Sequence, residues 1–306
     1  MSTLKTLLDE GARFDAEYRG GLSNHLPMAL LALQRLGADE ARLAAFAATY
    51  STRLAPAPAA VEWPAGEAWT SRLGERAAWP AYRSLFAEWL SYELPAQVFE
   101  QVLPQLMAGC GAGAFHGLIR SAYAAQSGHD GELADALAYW ACRWLLLDGT
   151  PPAEDHGLIF ERMQRAASQP GFEEAVDAVA LDAGTLERLS RSSAMLYATS
   201  GDFTVLHLVT SCHAMRVLLP LAEDGLAAVE EYIVAHVAGL RAAGLGAAST
   251  GEPAPALPWE ELIDAALNSD DEHLIKLVDS AREEEAAYGG NEWQRAASRA
   301  VMAARG

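Results

Sequence analysis

The sequence has 306 residues, of which 51% are hydrophobic and 21% charged, a balance typical of a globular protein and not of a disordered chain. Its formal net charge of -19 disfavours binding to phosphate backbones and anionic lipid surfaces, so roles on nucleic acid or at a membrane surface are not expected. The three cysteines, Cys110, Cys142 and Cys212, are far apart and odd in number, which argues against a disulfide framework and a thiolate zinc site.

The first residues lack the apolar core of a secretory signal. No uninterrupted apolar run reaches the roughly 18 to 20 residues that a membrane-spanning helix needs. The scattered cysteines fit a reducing cytoplasm, so we expect a cytoplasmic protein that does not cross a membrane.

Apolar residues recur every three or four positions along most of the chain, which predicts helices. In the first such segment, Leu26, Leu30 and Leu33 form the stripe, Pro27 falls in the first turn, and Gly37 follows the last turn. The same spacing predicts further helices at 41–54, 79–92, 96–107, 114–125, 131–147, 158–167, 184–198, 203–221, 227–243, 259–268, 272–286 and 291–303.

No useful stretch alternates between apolar and polar residues as a half-buried strand would. Two segments rich in Pro, Ala or Gly, 55–67 and 245–258, are predicted to be surface loops. The glycines at 109, 111 and 113 resemble half of a dinucleotide-binding fingerprint, but no strand precedes them, so they predict a turn between helices. We predict one all-α domain over residues 1–306, a large irregular bundle of at least ten helices with a buried metal site.

Eight histidines are present, and four of them occupy apolar helical segments: His25, His116, His207 and His273. A single histidine on an apolar face is more often a hydrogen-bonded core residue than a metal ligand. Four such residues on four helices favour a ligand set, because a bundle gathers inward-facing side chains and neutral imidazole binds Fe, Zn, Cu or Ni. His213 and His236 also lie on predicted helices, whereas His129 and His156 have polar surroundings typical of the surface.

Lys276 is one of two lysines in the chain, the other being Lys5, and it is flanked by Leu274, Ile275 and Leu277. Its side chain either reaches water along the protein surface or is buried as an amine of lowered pKa. A neutral buried amine can act as a base or nucleophile, or can add CO2 to give a carbamate that binds metal as a carboxylate does. Because Lys276 follows His273 by three residues, both project from nearly the same helix face.

Four blocks of the sequence together resemble the questin oxidase-like family. They begin with Asn24-His25, followed by Ala29-Leu-Leu-Ala-Leu, and continue with Ala114-Phe-His-Gly-Leu-Ile, Phe203-Thr-Val-Leu-His-Leu-Val-Thr-Ser and Asp271-Glu-His-Leu-Ile-Lys-Leu-Val. They follow the order of the family and extend over residues 24–278, nearly the whole chain. The resemblance implies a helical, non-haem iron oxygenase acting on anthraquinone-type polyketides, by ring cleavage or Baeyer–Villiger-type oxidation.

Carried over residue by residue, the resemblance implies His25, His116, His207 and His273 as imidazole ligands of Fe(II) and Lys276 as a carbamate ligand. It places His213 beside the ligands rather than among them. Fungal members carry a further histidine where this chain has Arg120, and that difference bears on the substrate pocket.

The expected partners are O2 and a small aromatic substrate. No flavin or nicotinamide fingerprint is present, so any reductant such as NADPH would be supplied externally. Arg120 or Arg216 is predicted to steady an anionic substrate oxygen, and Tyr18 or Tyr123 to donate a hydrogen bond. Two alternatives remain: a hydrolase or lyase that uses His and Lys chemistry, with or without a metal, and a helical binding protein without catalysis.

Overall fold

The computed structural model describes residues 2–154, 156–245 and 251–305. Within these ranges the chain forms fifteen α-helices and one short antiparallel hairpin, which confirms the all-α prediction. The helices are α1 Thr3–Gly11, α2 Leu26–Leu36, α3 Glu40–Ser51, α4 Trp79–Tyr92, α5 Pro95–Leu106, α6 His116–Ser127, α7 Asp130–Arg143, α8 Ile159–Ala167, α9 Phe172–Asp177, α10 Thr185–Ser200, α11 Phe203–Leu218, α12 Gly225–Ala243, α13 Trp259–Leu267, α14 Glu272–Tyr288 and α15 Glu292–Arg305.

The hairpin consists of β1 Glu17–Tyr18 and β2 Leu22–Ser23, and it precedes α2 directly. Short 3-10 turns occur at Trp69–Arg72, Arg76–Ala78, Met107–Gly109 and Leu219–Leu221. The turn at Met107–Gly109 leads into α6, so the glycine-rich segment joins two helices as predicted.

Helix α11 is the central element of the bundle. Its residues from Thr204 to Met215 are all buried, and it packs against α6, α10, α12 and α14. Helix α2 packs on α14 and α6, so α2, α6, α11 and α14 lie side by side. These are the four helices that carry the histidines predicted to bind metal.

The described helices share one continuous hydrophobic core, built around large buried aromatic residues such as Trp79, Trp140 and Trp293. The single domain over residues 1–306 stays a prediction. Residues 55–67 contain no helix, as predicted, whereas 246–250 of the second predicted loop lie outside the described residues.

One helical stretch, Phe203–Leu221, is long and apolar enough to cross a membrane by length and composition. Of the 18 most apolar consecutive residues in this stretch, 72% are buried inside the fold. The burial identifies it as a core helix, because a lipid-facing helix would expose its apolar side chains at the protein surface.

Candidate metal centre

The four predicted ligand histidines lie near the amino ends of four neighbouring helices. His25 is the N-cap residue directly before α2, and His116 is the first residue of α6. His207 lies in the second turn of α11, and His273 is the second residue of α14. The sequence separates these residues by up to 248 positions, and the packing of the helices brings their rings together.

The backbone before His116 adopts an unusual conformation. Gly113, Ala114 and Phe115 all have left-handed backbone angles, with φ of 55°, 58° and 66°. Such angles are unfavourable for alanine and phenylalanine, and segments of this kind cluster at functional sites. The left-handed run turns the chain sharply into α6, so that His116 starts the helix with its ring directed at the other histidines.

The rings are in direct contact. The Nε2 atoms of His25 and His116 lie 2.7 Å apart, and the two rings stack with centroids 4.6 Å apart. The ring of His273 meets that of His25 edge-on at 4.6 Å. One ligand atom from each of His25, His116 and His273 lies within 4.8 Å of the others.

His207 completes the group from the other side. Its ring centroid is 5.1 Å from that of His116 and 5.6 Å from that of His273. The four imidazoles therefore form one contiguous cluster. All are buried except His273, whose side chain is 20% exposed.

Two of the rings are held in a defined tautomer. The Nδ1 of His116 donates to the Gly113 carbonyl, and the Nδ1 of His207 donates to the Phe203 carbonyl at 2.7 Å. A carbonyl only accepts, so both protons are on Nδ1 and both Nε2 atoms are unprotonated, each with a lone pair that can accept a hydrogen bond or bind a metal. Histidines that bind metals are commonly oriented in this way, by a backbone partner on the nitrogen opposite the metal.

Burial keeps the cluster uncharged. It lowers the pKa of His25 and His116 well below 6.5, with Lys276 and the neighbouring imidazoles adding to the shift. The pKa of His207 falls to about 3, again mainly through burial, and burial also lowers the pKa of His273. Neutral imidazoles are the form that binds a metal cation.

Lys276 is buried beside the cluster, with only 1% of its surface exposed. The side chain therefore does not reach water, and the buried-amine alternative is the correct one. Burial lowers its pKa to about 8, against the opposing charges of Glu272 and Asp271. Among the described residues, no hydrogen bond or ion pair engages its amine, which is close enough to influence the pKa of all four histidines.

A carboxylate that the sequence did not indicate joins the group. Oε1 of Glu272 lies 3.8 Å from Nδ1 of His25 and 3.8 Å from Nδ1 of His273. Asp271, Glu272 and His273 form a second set of atoms that can hold a cation. The acidic pair before His273 is visible in the sequence, but acidic residues at the start of a helix commonly serve as caps and do not by themselves indicate a metal site. Asp271 does cap α14, accepting the His273 N–H at 2.8 Å.

The cluster opens into a cavity of about 330 Å³. This volume is at the small end of the range for pockets that enclose organic ligands. All four histidines line the cavity, together with Tyr18, Ser23, Leu158, Phe160, Arg162, Phe203 and Glu272. The site therefore combines a donor set with a partly aromatic pocket.

The arginines predicted to hold a substrate oxygen do not line this cavity. Arg120 is buried and donates to both carboxylate oxygens of Glu132, at 2.6 and 2.8 Å. Arg216 donates to Glu284 at 2.5 Å, on the far part of α14. Both guanidinium groups form ion pairs away from the cavity, although Nη2 of Arg216 is buried without a hydrogen-bond partner among the described residues. Because neither residue lines the cavity, neither position supports the predicted role. Arg162 on α8, which sequence reasoning missed, is the arginine at the cavity.

His213 lies outside the cluster, next to the Tyr123 ring at a centroid distance of 6.0 Å. It is fully buried, and neither of its ring nitrogens has a hydrogen-bond partner among the described residues. Tyr123 donates to Asp279 at 2.9 Å and does not line the cavity, whereas Tyr18 does. Of the two tyrosines predicted to contact substrate, only Tyr18 has the position for it.

The remaining histidines are separate from the centre. His236 is buried within reach of Tyr232, and the side chain of His156 is 63% exposed. The prediction that His129 is a surface residue is wrong: it is buried and caps α7, accepting the Glu132 N–H at 2.9 Å. Its polar neighbours in the sequence belong to the helix cap, which explains the misleading signal.

Comparison with protein families gives a match that extends over most of the chain. The questin oxidase-like family model, described as "Questin oxidase-like", matches residues 22–178 and 161–281. The matched ranges include all four clustered histidines and Lys276. No curated protein matches the sequence.

Proposed function

The chain belongs to the questin oxidase-like family, and from that premise we propose that it is a non-haem iron-dependent oxygenase acting on an aromatic, anthraquinone-like polyketide. Family membership itself indicates an oxidoreductase with polyketide-like substrates. The observation that supports a metal-dependent mechanism is the convergence of His25, His116, His207 and His273 at one cavity.

The donor set fits a first-row transition metal. Two imidazole nitrogens bound at a right angle to one such ion lie about 3.0 Å apart, for metal–nitrogen distances of about 2.1 Å. The separation of 2.7 Å between Nε2 of His25 and Nε2 of His116 is close to that spacing. Three or four neutral imidazoles with carboxylate-like oxygen ligands suit Fe(II), whereas the absence of thiolate from the cluster disfavours soft-metal sites.

Each residue has a defined part in this proposal. His116 and His207 present Nε2 because their Nδ1 protons are bound by backbone carbonyls. Lys276, as its carbamate, supplies an anionic oxygen; the amine attacks CO2, forms an N–C bond and releases a proton. Glu272 orients His25 and His273 from the opposite side of their rings.

When bound, iron would supply the one-electron chemistry with O2 that amino-acid side chains lack. The protein contributes a partly aromatic chamber that positions the substrate ring beside the histidines. Tyr18 lines the cavity and is, in this proposal, the tyrosine that donates a hydrogen bond to a substrate oxygen. If both oxygen atoms enter a cleaved ring, the substrate supplies all the electrons. Insertion of a single oxygen atom needs two more, from a donor such as NADPH.

The test is metal analysis combined with O2 uptake. Purified protein should contain about one iron per chain and consume O2 with a hydroxyanthraquinone, and adding NADPH distinguishes single-oxygen insertion from ring cleavage. A hydrolase or lyase using His and Lys, the alternative that the lowered pKa of Lys276 favours, would turn over without O2. A protein that binds neither iron nor another redox metal would refute the oxygenase.

A further inference from the structure

Arg162 is the cationic side chain in the wall of the cavity. Its Nη2 donates to Thr204 Oγ1 at 2.8 Å, which fixes the guanidinium one turn before His207 on α11. Its Nε is buried and has no hydrogen-bond partner among the described residues. A buried guanidinium N–H without an acceptor is costly. Other arginines, such as Arg216, also have one among the described residues, but Arg162 is the one that lines the cavity, where a bound ligand can supply the acceptor.

The charge of Arg162 is not balanced locally. None of the ion pairs among the described residues includes Arg162, although arginines elsewhere in the protein have carboxylate partners, as in Arg120 with Glu132. Glu272, the carboxylate in the cavity lining, is paired with Arg53 at 3.5 Å. The cavity therefore presents a positive charge in a protein whose net charge is -19.

The wall next to Arg162 suits a flat ring. The Phe203 ring lies edge-on to His207 and to His273, with centroid distances of 4.8 Å in both cases, and Phe160 lines the same cavity. Aromatic walls of this kind bind aromatic ligands through offset stacking and edge contacts. The cavity wall thus combines aromatic side chains with a guanidinium and the histidine cluster.

We propose that Arg162 anchors an anionic oxygen group, a carboxylate or a phenolate, on the aromatic substrate. The planar guanidinium binds such groups through charge-assisted hydrogen bonds, and its free Nε–H provides one of them. The identity of the ring rests on the proposed function, but the preference for an anion rests on Arg162 alone. The anchor fixes one end of the ring, so that the other end lies against the histidines.

The test compares two probes that differ in one charge: 4,5-dihydroxyanthraquinone-2-carboxylate and its methyl ester. Both are titrated by calorimetry into the full-length protein at pH 7.5. The carboxylate should bind wild type roughly 10- to 100-fold more tightly than the ester, the range expected for a hydrogen bond to a charged group. Arg162→Gln should abolish the preference, and Arg162→Lys should retain part of it, because lysine keeps the charge but loses the planar fork.

Arg165→Gln is the matched control, since it removes the same charge from an exposed position one turn along α8. This variant should keep the full preference, and circular dichroism should show every variant folded. A phenolate source is tested with 1,8-dihydroxyanthraquinone, whose binding should then strengthen as pH rises through the phenol pKa in wild type but not in Arg162→Gln.

Two results would overturn the proposal. In the first, wild type binds the carboxylate no more tightly than its methyl ester, and the phenolate of 1,8-dihydroxyanthraquinone no more tightly than the phenol. In the second, the preference for the anion is unchanged in Arg162→Gln. Every titration is repeated after iron is removed with a chelator. A preference that persists in iron-free protein separates the anion anchor from the oxygenase: loss of iron binding or O2 uptake would refute only the proposed function.

Discussion

Nε2 of His25 and Nε2 of His116 lie 2.7 Å apart, and only one of them can carry the proton between them. The Nδ1 of His116 donates to the Gly113 carbonyl, so its Nε2 accepts and His25 is the donor. That leaves Nδ1 of His25 unprotonated, with no hydrogen-bond partner among the described residues and 3.8 Å from Glu272. If both Nε2 atoms bind a metal, His25 must first lose its Nε2 proton. Nδ1 of His25, which faces Glu272, can take up that proton.

The first prediction concerns iron content. Replacing His25, His116, His207 or His273 singly with alanine should reduce bound iron from about one per chain to a small fraction, because each change removes one ligand from a shared site. Elemental analysis of protein purified without chelator measures the outcome. The control is His129→Asn, which removes an imidazole but retains a residue that can cap α7. A wild-type iron content in all four alanine variants would show that these histidines do not form the iron site.

The second prediction concerns Glu272. Its carboxylate faces Nδ1 of both His25 and His273, so Glu272→Gln should weaken iron binding roughly 10- to 100-fold, the usual effect of losing a carboxylate that orients metal-bound histidines. Competition with a chelator of known affinity measures the change. Glu283→Gln, which removes the same charge farther along α14, should bind iron as wild type does. Equal affinity in the two variants would contradict the orienting role.

Helical periodicity predicted most elements of the fold, and tertiary contacts explain where it failed. The helix predicted over 79–92 is α4 itself, because Pro80 sets its start and its apolar stripe its length. The helix predicted over 131–147 ends at Arg143 instead. Trp144 leaves the helix to pack its ring against Gly109, where a Cβ would lie 2.3 Å from the indole, and its Nε1 donates to the Gln105 carbonyl.

Two short helices, α1 and α9, were not predicted from the spacing of apolar residues. Helix α1 has only Leu4 and Leu8 as buried positions, and α9 is six residues long with only Phe172 buried. One or two buried positions do not establish a period in the sequence. Their stability comes from packing against the rest of the bundle rather than from their own pattern.

At the site, the sequence indicated polar residues within apolar helices but not ion pairs between helices. His25, His116, His207 and His273 stood out because a buried imidazole is conspicuous among leucines and valines. Arg120 was predicted to contact substrate because fungal members of the family carry a histidine at its position, and its partner Glu132 on the next helix was not identified. Arg162 was overlooked because α8 is strongly amphipathic, and arginines on such a helix usually face solvent.

The third prediction separates Arg120 from the substrate. Because Glu132 is buried with it, Arg120→Gln leaves an unpaired carboxylate and should lower the free energy of unfolding by about 3–5 kcal/mol. Iron content of the folded variant should stay at the wild-type level. Denaturant unfolding measures the loss, and the double change Arg120→Met with Glu132→Met should recover much of it. A normal stability with weakened substrate binding would instead restore the substrate role.

The fourth prediction is a dependence of stability on pH. Burial, aided by Arg35 and Arg216, lowers the pKa of His213 well below 6.5 in the folded protein. Below pH 6.5 the unfolded chain therefore binds a proton at His213 that the native state does not bind. The free energy of unfolding consequently falls as pH falls. Each such histidine contributes up to about 1.4 kcal/mol per pH unit.

His213→Leu removes that contribution along with two buried ring nitrogens that lack partners among the described residues. Iron-free variant and wild type should have similar stability at pH 7.5. Between pH 6 and 5, the stability of the variant should decline less steeply than that of wild type, by about 1.4 kcal/mol per unit. Parallel stability curves across this range, from urea titrations at each pH, would show that His213 does not titrate on unfolding.

The last prediction concerns Lys276, whose amine is buried beside four imidazoles with its pKa lowered to about 8. If the amine binds iron as a carbamate, Lys276→Ala should lose most iron, and Lys276→Arg should not replace it, because a guanidinium stays charged and takes up no CO2. Lys276→Glu should retain part of the iron, since a carboxylate supplies the same type of oxygen on a shorter side chain. Acetate should partly restore iron to Lys276→Ala. The control is Lys5→Ala at the other, exposed lysine. An amine seen free of CO2 in an iron-loaded crystal structure, or full iron in Lys276→Arg, would rule out the carbamate and leave Lys276 as a neutral base.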